Sequence, residues 1–282
     1  MLIEDVKKLS PMERFCYFIQ ERESIRLKKE SGEPRPWTDD EIFLMYKFTN
    51  VRRMDDRVSQ WLLKNWFLPY FDHKNMLTAV TLAREVNRIE VLEELGFPKT
   101  WNPDRAEKIL NSRVQRGLKN FSAAYMITGT LGGTKIQQVV HKVVTPIHQS
   151  NLNYPTSSME ETHRLLIPFA GFSTFIAGQV VADLRWAVDG TWTDKNTWAP
   201  IGPGSRRGMN YLQGRDPETP LKQQQFLTEL GDVIDLCKKR LPTSITSRME
   251  CMDFQNCCCE YSKRERTLFD GRRPKQRYVG VS

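Results

Sequence analysis

The sequence predicts a mainly α-helical fold, and three observations carry that reading. Apolar residues recur at helical spacing through most of the chain, capping residues and prolines stand where helices would begin, and no stretch reads as a ladder of alternating strands or a repeated βαβ unit. One integrated multi-helical domain over 1–270 follows, with two lobes flanking a groove as one arrangement it allows; 271–282 reads as a basic C-terminal tail.

The first helix is expected from Pro11 to Lys29. Ser10 can cap it, Pro11 suits its first turn, and Phe15, Phe18, Ile19 and Ile25 recur near helical spacing. Gly32-Glu-Pro-Arg-Pro36 ends it. Thr38, followed by Asp39, Asp40 and Glu41, then opens a second helix carrying Ile42, Phe43, Tyr46 and Phe48, with the acids at the positive end of its dipole. Further helices are expected over 54–69, 73–94, 103–117, 135–151, 159–168, 172–187, 206–213, 218–239 and 247–262, and Ala123–Ile127 reads as one short extended piece. From Leu166 to Leu184 the pattern is helix, tight turn at Pro168 to Gly171, helix, a loose resemblance to the helix-hairpin-helix with which base-excision glycosylases bind DNA phosphate. Those hairpins usually carry two glycines and this one has Gly171 alone, so a plain helical hairpin is the alternative. Asp189 falls about where such glycosylases place a catalytic aspartate.

The 282 residues hold 42 Lys and Arg against 34 Asp and Glu, a net charge of +8. Basic residues cluster at Arg52-Arg53, Arg206-Arg207, Lys238-Lys239-Arg240, Lys263-Arg264 and Arg272-Arg273, and seven Trp supply stacking surface. That combination fits a nucleic-acid partner, the plainer alternative being a charge that serves solubility. The N-terminus shows no apolar signal region and nowhere do eighteen apolar residues run together, so the expectation is a protein neither secreted nor membrane-spanning, acting in a reducing cytoplasm. Six cysteines, three of them consecutive at Cys257-Cys258-Cys259, form no Cys-x-x-Cys pair and the four histidines show no metal spacing, which favours buried thiols over a metal centre.

The run Trp198-Ala-Pro-Ile-Gly-Pro-Gly-Ser-Arg-Arg-Gly208 is the strongest local signal for chemistry. Read as a loop, its glycines let backbone amides approach an anion while Ser205, Arg206 and Arg207 grip oxygens; read blandly, it is a surface turn with solvated arginines. It is not a Walker A loop, and Gly129-Thr-Leu-Gly-Gly-Thr-Lys135 fails that pattern too, since no Ser or Thr follows Lys135.

Taken together, the chain resembles the bacteriophage thymine-hypermodification proteins that share the helical domain of 5-hydroxymethyluracil DNA kinase, among them amino acid:DNA transferases and α-glutamyl/putrescinyl thymine pyrophosphorylases. The resemblance lies in Glu21-Arg-Glu-Ser-Ile-Arg26, Pro36-Trp-Thr-Asp-Asp40, Phe48-Thr-Asn-Val-Arg-Arg53, Ala124-Tyr-Met-Ile127, Gly171-Phe172 through Asp183-Leu184, Gly202-Pro-Gly-Ser-Arg-Arg-Gly208, and Cys259-Glu-Tyr261 with Lys263. It implies chemistry on double-stranded phage DNA in the host cytoplasm. A kinase phosphorylates 5-hydroxymethyluracil, and a transferase replaces the phosphate or pyrophosphate with an amine. Lacking a P-loop, the chain resembles the transferase. A free amino acid or amine is the implied donor, glycine first, giving Nα-glycinylthymidine as a means of evading restriction. No cofactor is implied; a divalent cation is compatible with the reaction but not indicated.

Such a reaction must neutralise a departing anion and deprotonate an amine. The first task falls to Arg206, Arg207, Gly202, Gly204 and Ser205, with Lys135 as a further cation. For the second, Glu260, Asp189, Asp194 and Asp56 are the candidate carboxylates, unranked. Contacts to DNA or to a flipped base are expected from Arg22, Arg26, Trp37, Asn50, Arg52, Arg53, Tyr125, Trp198 and Lys263. Core packing is the alternative for the three aromatic residues, and ion pairing with Glu21, Glu23, Asp55 and Asp56 for the arginines. A glycosylase-like hydrolase and a non-catalytic DNA-binding partner of the kinase are the competing functions.

Overall fold

In the computed structural model the described residues are 3–122, 131–150, 152, 154, 157–189, 192–272, 274 and 277–278. The helices in chain order are α1 (Ile3–Lys8), α2 (Pro11–Glu30), α3 (Glu41–Met45), α4 (Arg57–Leu62), α5 (Met76–Val86), α6 (Ile89–Leu95), α7 (Pro103–Gln115), α8 (Lys135–Gln137), α9 (Thr145–Gln149), α10 (Met159–Leu166), α11 (Thr174–Ala187), α12 (Pro203–Leu212), α13 (Gln223–Arg240), α14 (Thr243–Thr246) and α15 (Cys251–Asp270). A 3₁₀ turn, Arg53–Asp55, precedes α4, and π-helical stretches Leu63–Phe67 and Gln138–Val144 extend α4 and join α8 to α9. The described residues contain no strand, only an isolated bridge between Tyr46 and Arg277, so the mainly helical reading holds. The piece at Ala123–Ile127 lies outside the described residues.

Two expected boundaries move for local reasons. The stretch 73–94 is not one helix, because Asn87 turns to φ 48°, a left-handed conformation that Asn tolerates, and closes α5 before α6 begins. The helix expected from 206 starts instead at Pro203, a residue whose fixed φ suits a first turn.

The chain divides into two compact units. The first joins Met1–Asp56 to Lys195–Ser282, and the second is Arg57–Asp194. In the first, α2 begins with the full capping box, Ser10 and Glu13 each serving the other's backbone amide. Its apolar side carries Phe15 and Phe18 against Phe43, Phe48 and Tyr261. Two ion pairs are sealed beneath: Arg14 with Glu265 at 2.8 Å, and Arg264 with Asp40 at 2.6 Å between the rings of Tyr17 and Phe43. Asp40 also caps α3, accepting from the amides of Ile42 and Phe43; the second helix thus starts two residues later than Thr38 suggests.

In the second unit every residue of α5 is buried, and α9, α11 and the π-helical stretch Gln138–Val144 pack around it. Arg84 of α5 pairs with Asp183 of α11 and donates to Ser59. The 166–184 stretch is a helical hairpin of α10 and α11, closed by Gly171 at φ 83° where a Cβ would collide with Val143.

Candidate functional site

The 202–208 run is helical, not a loop, which corrects the expected backbone cradle. Gly202 caps α12, its amide held by Ser205 Oγ at 2.9 Å, and Ser205 Oγ accepts from Gln255 of α15 at 3.1 Å. The two interior glycines face α15. A Cβ at Gly204 would overlap Cys259 Sγ, and one at Gly208 would overlap the Cys258 carbonyl, with Cys258 Cα only 3.0 Å away. The spacing Gly-x-x-x-Gly therefore lets two helix backbones touch. It does not wrap an anion.

Arg206 and Arg207 share one carboxylate: Arg206 Nη2 and Arg207 Nε stand 2.6 Å from the two oxygens of Glu218. The Arg207 guanidinium holds the Glu218 carboxyl below its ordinary range, and Arg206 and Arg266 add to the effect. Two guanidinium groups thus grip a carboxylate that is itself mostly exposed. An anion bearing more charge than a carboxylate could take its place. Glu218→Ala is accordingly expected to tighten binding of duplex DNA, roughly three- to tenfold at low salt, in a titration that also reads the salt slope. An unchanged affinity would take both arginines off the DNA path.

The Phe48–Arg53 motif is tied down from both sides. Arg22 donates to the carbonyls of Phe48 and Thr49 and to the Asn50 side chain, whose amide donates to Asp55 O at 2.6 Å. Glu260 of α15 accepts from Thr49 N and Lys263 Nζ, both at 3.0 Å, and Lys263 lies over the Phe48 ring. Arg53 donates its amide to Asp253. Arg26 pairs with Glu23, Glu30 and Asp55, and Arg52 with Asp55, the ion-pairing alternative. Glu260 therefore serves the loop, and these arginines are occupied within the unit. Trp198 is 3% exposed, a core position that leaves no face for a base. Trp37 is half-buried under Arg35, its indole donating to Glu33 O. Asp56 ends the 3₁₀ turn. Of the three consecutive cysteines on α15, Cys257 and Cys258 are buried and Cys259 is half-buried, and burial pushes their thiols up.

Of the residues expected in the second unit, Asp194 accepts from Ser158 Oγ and from the amides of Met159 and Glu160, which makes it a cap for α10, and Asp189 is exposed after α11. Tyr125 lies outside the described residues. Lys135 is the first residue of α8, half-buried, with Nζ 4.6 Å from the Phe121 ring centroid. Burial lowers its affinity for the proton.

Opposite it in charge is a residue the sequence reading missed. Glu85 of α5 is 1% exposed and neither carboxylate oxygen has a hydrogen-bond partner among the described residues. Burial pushes its pKa up to about 7, the charge of Lys135 working the other way. A signal was available: Ala79-Val-Thr-Leu-Ala-Arg-Glu-Val86 places a lone carboxylate on a largely apolar helix, with Thr81 and Arg84 as its only polar company in that segment. Carboxylates held near neutrality without a structural partner are suited to moving protons.

Residues 10–271 match the family described as "5-hmdU DNA kinase, helical domain", and the chain belongs to that family. It is 28% identical over 226 residues to the 5-hmdU DNA kinase of Bacillus phage SP10, an alignment covering 70% of this chain. The chain spans about a third (35%) of that relative's length. No solved structure matches. Among the described residues, no helix is long and apolar enough to cross a membrane.

Proposed function

We propose that the chain is a DNA-modifying transferase of phage thymidine hypermodification. It displaces the phosphate or pyrophosphate of a 5-(pyro)phosphomethyl-deoxyuridine in DNA with an amino acid or amine, glycine first. The carrying observation is the family match over residues 10–271, which ties the helical frame to DNA containing hydroxymethyluracil. One feature of the chain favours transfer over phosphorylation. The second unit supplies an isolated carboxyl tuned near neutrality, as deprotonation of an amine requires.

A second reading is that the helical frame delivers DNA to a kinase, and it is favoured by the match to only part of a longer kinase. The deciding experiment incubates the protein with DNA carrying phosphorylated or pyrophosphorylated hydroxymethyluracil and single amines, then digests to nucleosides for mass spectrometry. An amino-linked thymidine is expected. Binding without any new nucleoside would establish the delivery reading instead, and abasic sites would mark a glycosylase.

A further inference from the structure

Among the described residues the most exposed large apolar side chain is Leu68, at 63%, and the most exposed phenylalanine is Phe71, at 51%. Single apolar residues at a surface are ordinary, but these two share one turn of the second unit. Leu68 continues the helical backbone of Leu63–Phe67, with φ −67° and ψ −46°. Phe71 follows three positions on, the spacing of neighbours on one side of a helical turn.

The turn is not free to fold these side chains down. Tyr70, between them, is committed elsewhere: its ring stacks on Phe97 at 4.0 Å between centroids and 13° between planes, and Trp66 and His73 meet Phe97 edge-on. The backbone is pinned as well. Tyr70 N donates to Trp66 O at 3.2 Å, His73 N to Tyr70 O at 3.0 Å, and Asp72 N to Ala187 O, the last residue of α11, at 3.0 Å. A fixed turn therefore holds two apolar tips out in water.

The surroundings are basic. Lys64 stands four positions before Leu68, Lys74 three after Phe71, and Lys99 Nζ lies 5.1 Å from the Tyr70 ring centroid. All three are exposed, and none forms an ion pair among the described residues. Asp72 is the only carboxylate in 61–75 and 96–101. An occupant must therefore bring apolar surface and negative charge side by side. An apolar pocket on a protein supplies only the first, whereas the stacked bases of duplex DNA and the phosphates flanking them supply both.

We propose that Leu68 and Phe71 form a wedge that enters the base stack of duplex DNA, with Lys64, Lys74 and Lys99 on the flanking phosphates. This rests on the reading above that the chain acts on DNA. The wedge serves that reaction by keeping the stack open. A 5-hydroxymethyluracil nucleotide turned out of the duplex leaves a gap that its neighbouring bases would close, and apolar side chains of this size fill it.

The test uses the full chain and a duplex that carries hydroxymethyluracil with 2-aminopurine beside it, a base whose emission rises when it loses a stacking neighbour. Wild type is expected to raise that emission severalfold at saturation. Leu68→Ala and Phe71→Ala should each weaken binding by about three- to tenfold, and the double variant should abolish the emission rise. Urea midpoints should stay at the wild-type value, because both side chains are exposed. Phe71→Leu, which keeps an apolar tip, should retain most of the signal. Lys64→Gln and Lys99→Gln should each lower the salt slope by about one while leaving the emission at saturation unchanged. A double variant that binds and brightens the duplex like wild type overturns the wedge and leaves the DNA reading standing. Wild type that binds without any change in emission overturns it too, whatever the variants do. Failure of wild type to bind the duplex at all defeats the DNA reading along with it. Vesicles of phosphatidylserine and phosphatidylcholine form the last arm: binding there that depends on Leu68 and Phe71, with duplex binding indifferent to both, would assign the turn to a membrane surface and overturn the proposal.

Discussion

Gly208→Ala is expected to destabilise the protein by about 3 kcal/mol or more, the upper end for overpacking, because the added methyl meets main chain and not a side chain that can swing aside. The Cβ would fall on the Cys258 carbonyl, with the Cys258 Cα at 3.0 Å, so α12 could accept it only by lifting off α15. The internal control is Gly231, midway along α13, where a Cβ would have nothing within 4 Å. There the same exchange should stabilise by about 0.5–1 kcal/mol through helix propensity. Urea unfolding of the two variants beside wild type reads both signs. A Gly208→Ala protein with the wild-type midpoint would show that the α12–α15 contact is looser than described.

The second large effect belongs to Asp40. Removing this carboxylate strands Arg264, whose side chain is 0% exposed and whose ion pair spans 2.6 Å. Stranding a buried charge costs about 3–5 kcal/mol, so Asp40→Ala is expected to fall in that range, the lost cap on α3 adding about 1 kcal/mol. Asp40→Asn retains an acceptor for the Ile42 and Phe43 amides and separates the two contributions. Adding Arg264→Met to Asp40→Ala should recover much of the loss, since no charge is then left behind. If the double variant unfolds as readily as the single one, the cap and packing outweigh the ion pair.

What the sequence made legible was local. The cap at Ser10, the proline openings of α2 and α7, and the helical periodicity of α2, α7 and α11 are all set within one or two turns, where residue chemistry acts directly on the backbone. Ion pairing of Arg26 with Glu23 and of Arg52 with Asp55 was equally readable, three residues being one helical turn. The site was less so. Gly204 and Gly208 look like loop residues until α15, about fifty positions on, arrives against them, and Glu218 binds two arginines across a turn no periodicity describes. Asp194 and Glu260, candidate bases by residue type, have their oxygens engaged by backbone amides, whereas Glu85 is conspicuous only once burial is known. Chemistry at a distance along the chain is invisible before the fold closes that distance.

The first unit is made from the two ends of the chain, so its assembly has a built-in order during synthesis. Arg14 leaves the ribosome 251 residues ahead of its partner Glu265, and until then α2 has no α15 to lie against. The segment Arg57–Asp194 carries its own core and can condense during that interval. The nascent polypeptide must therefore keep Phe15, Phe18 and Ile19 from adhering elsewhere while translation of the remaining message proceeds, a burden that chaperones or the polar flank of the emerging helix would have to carry.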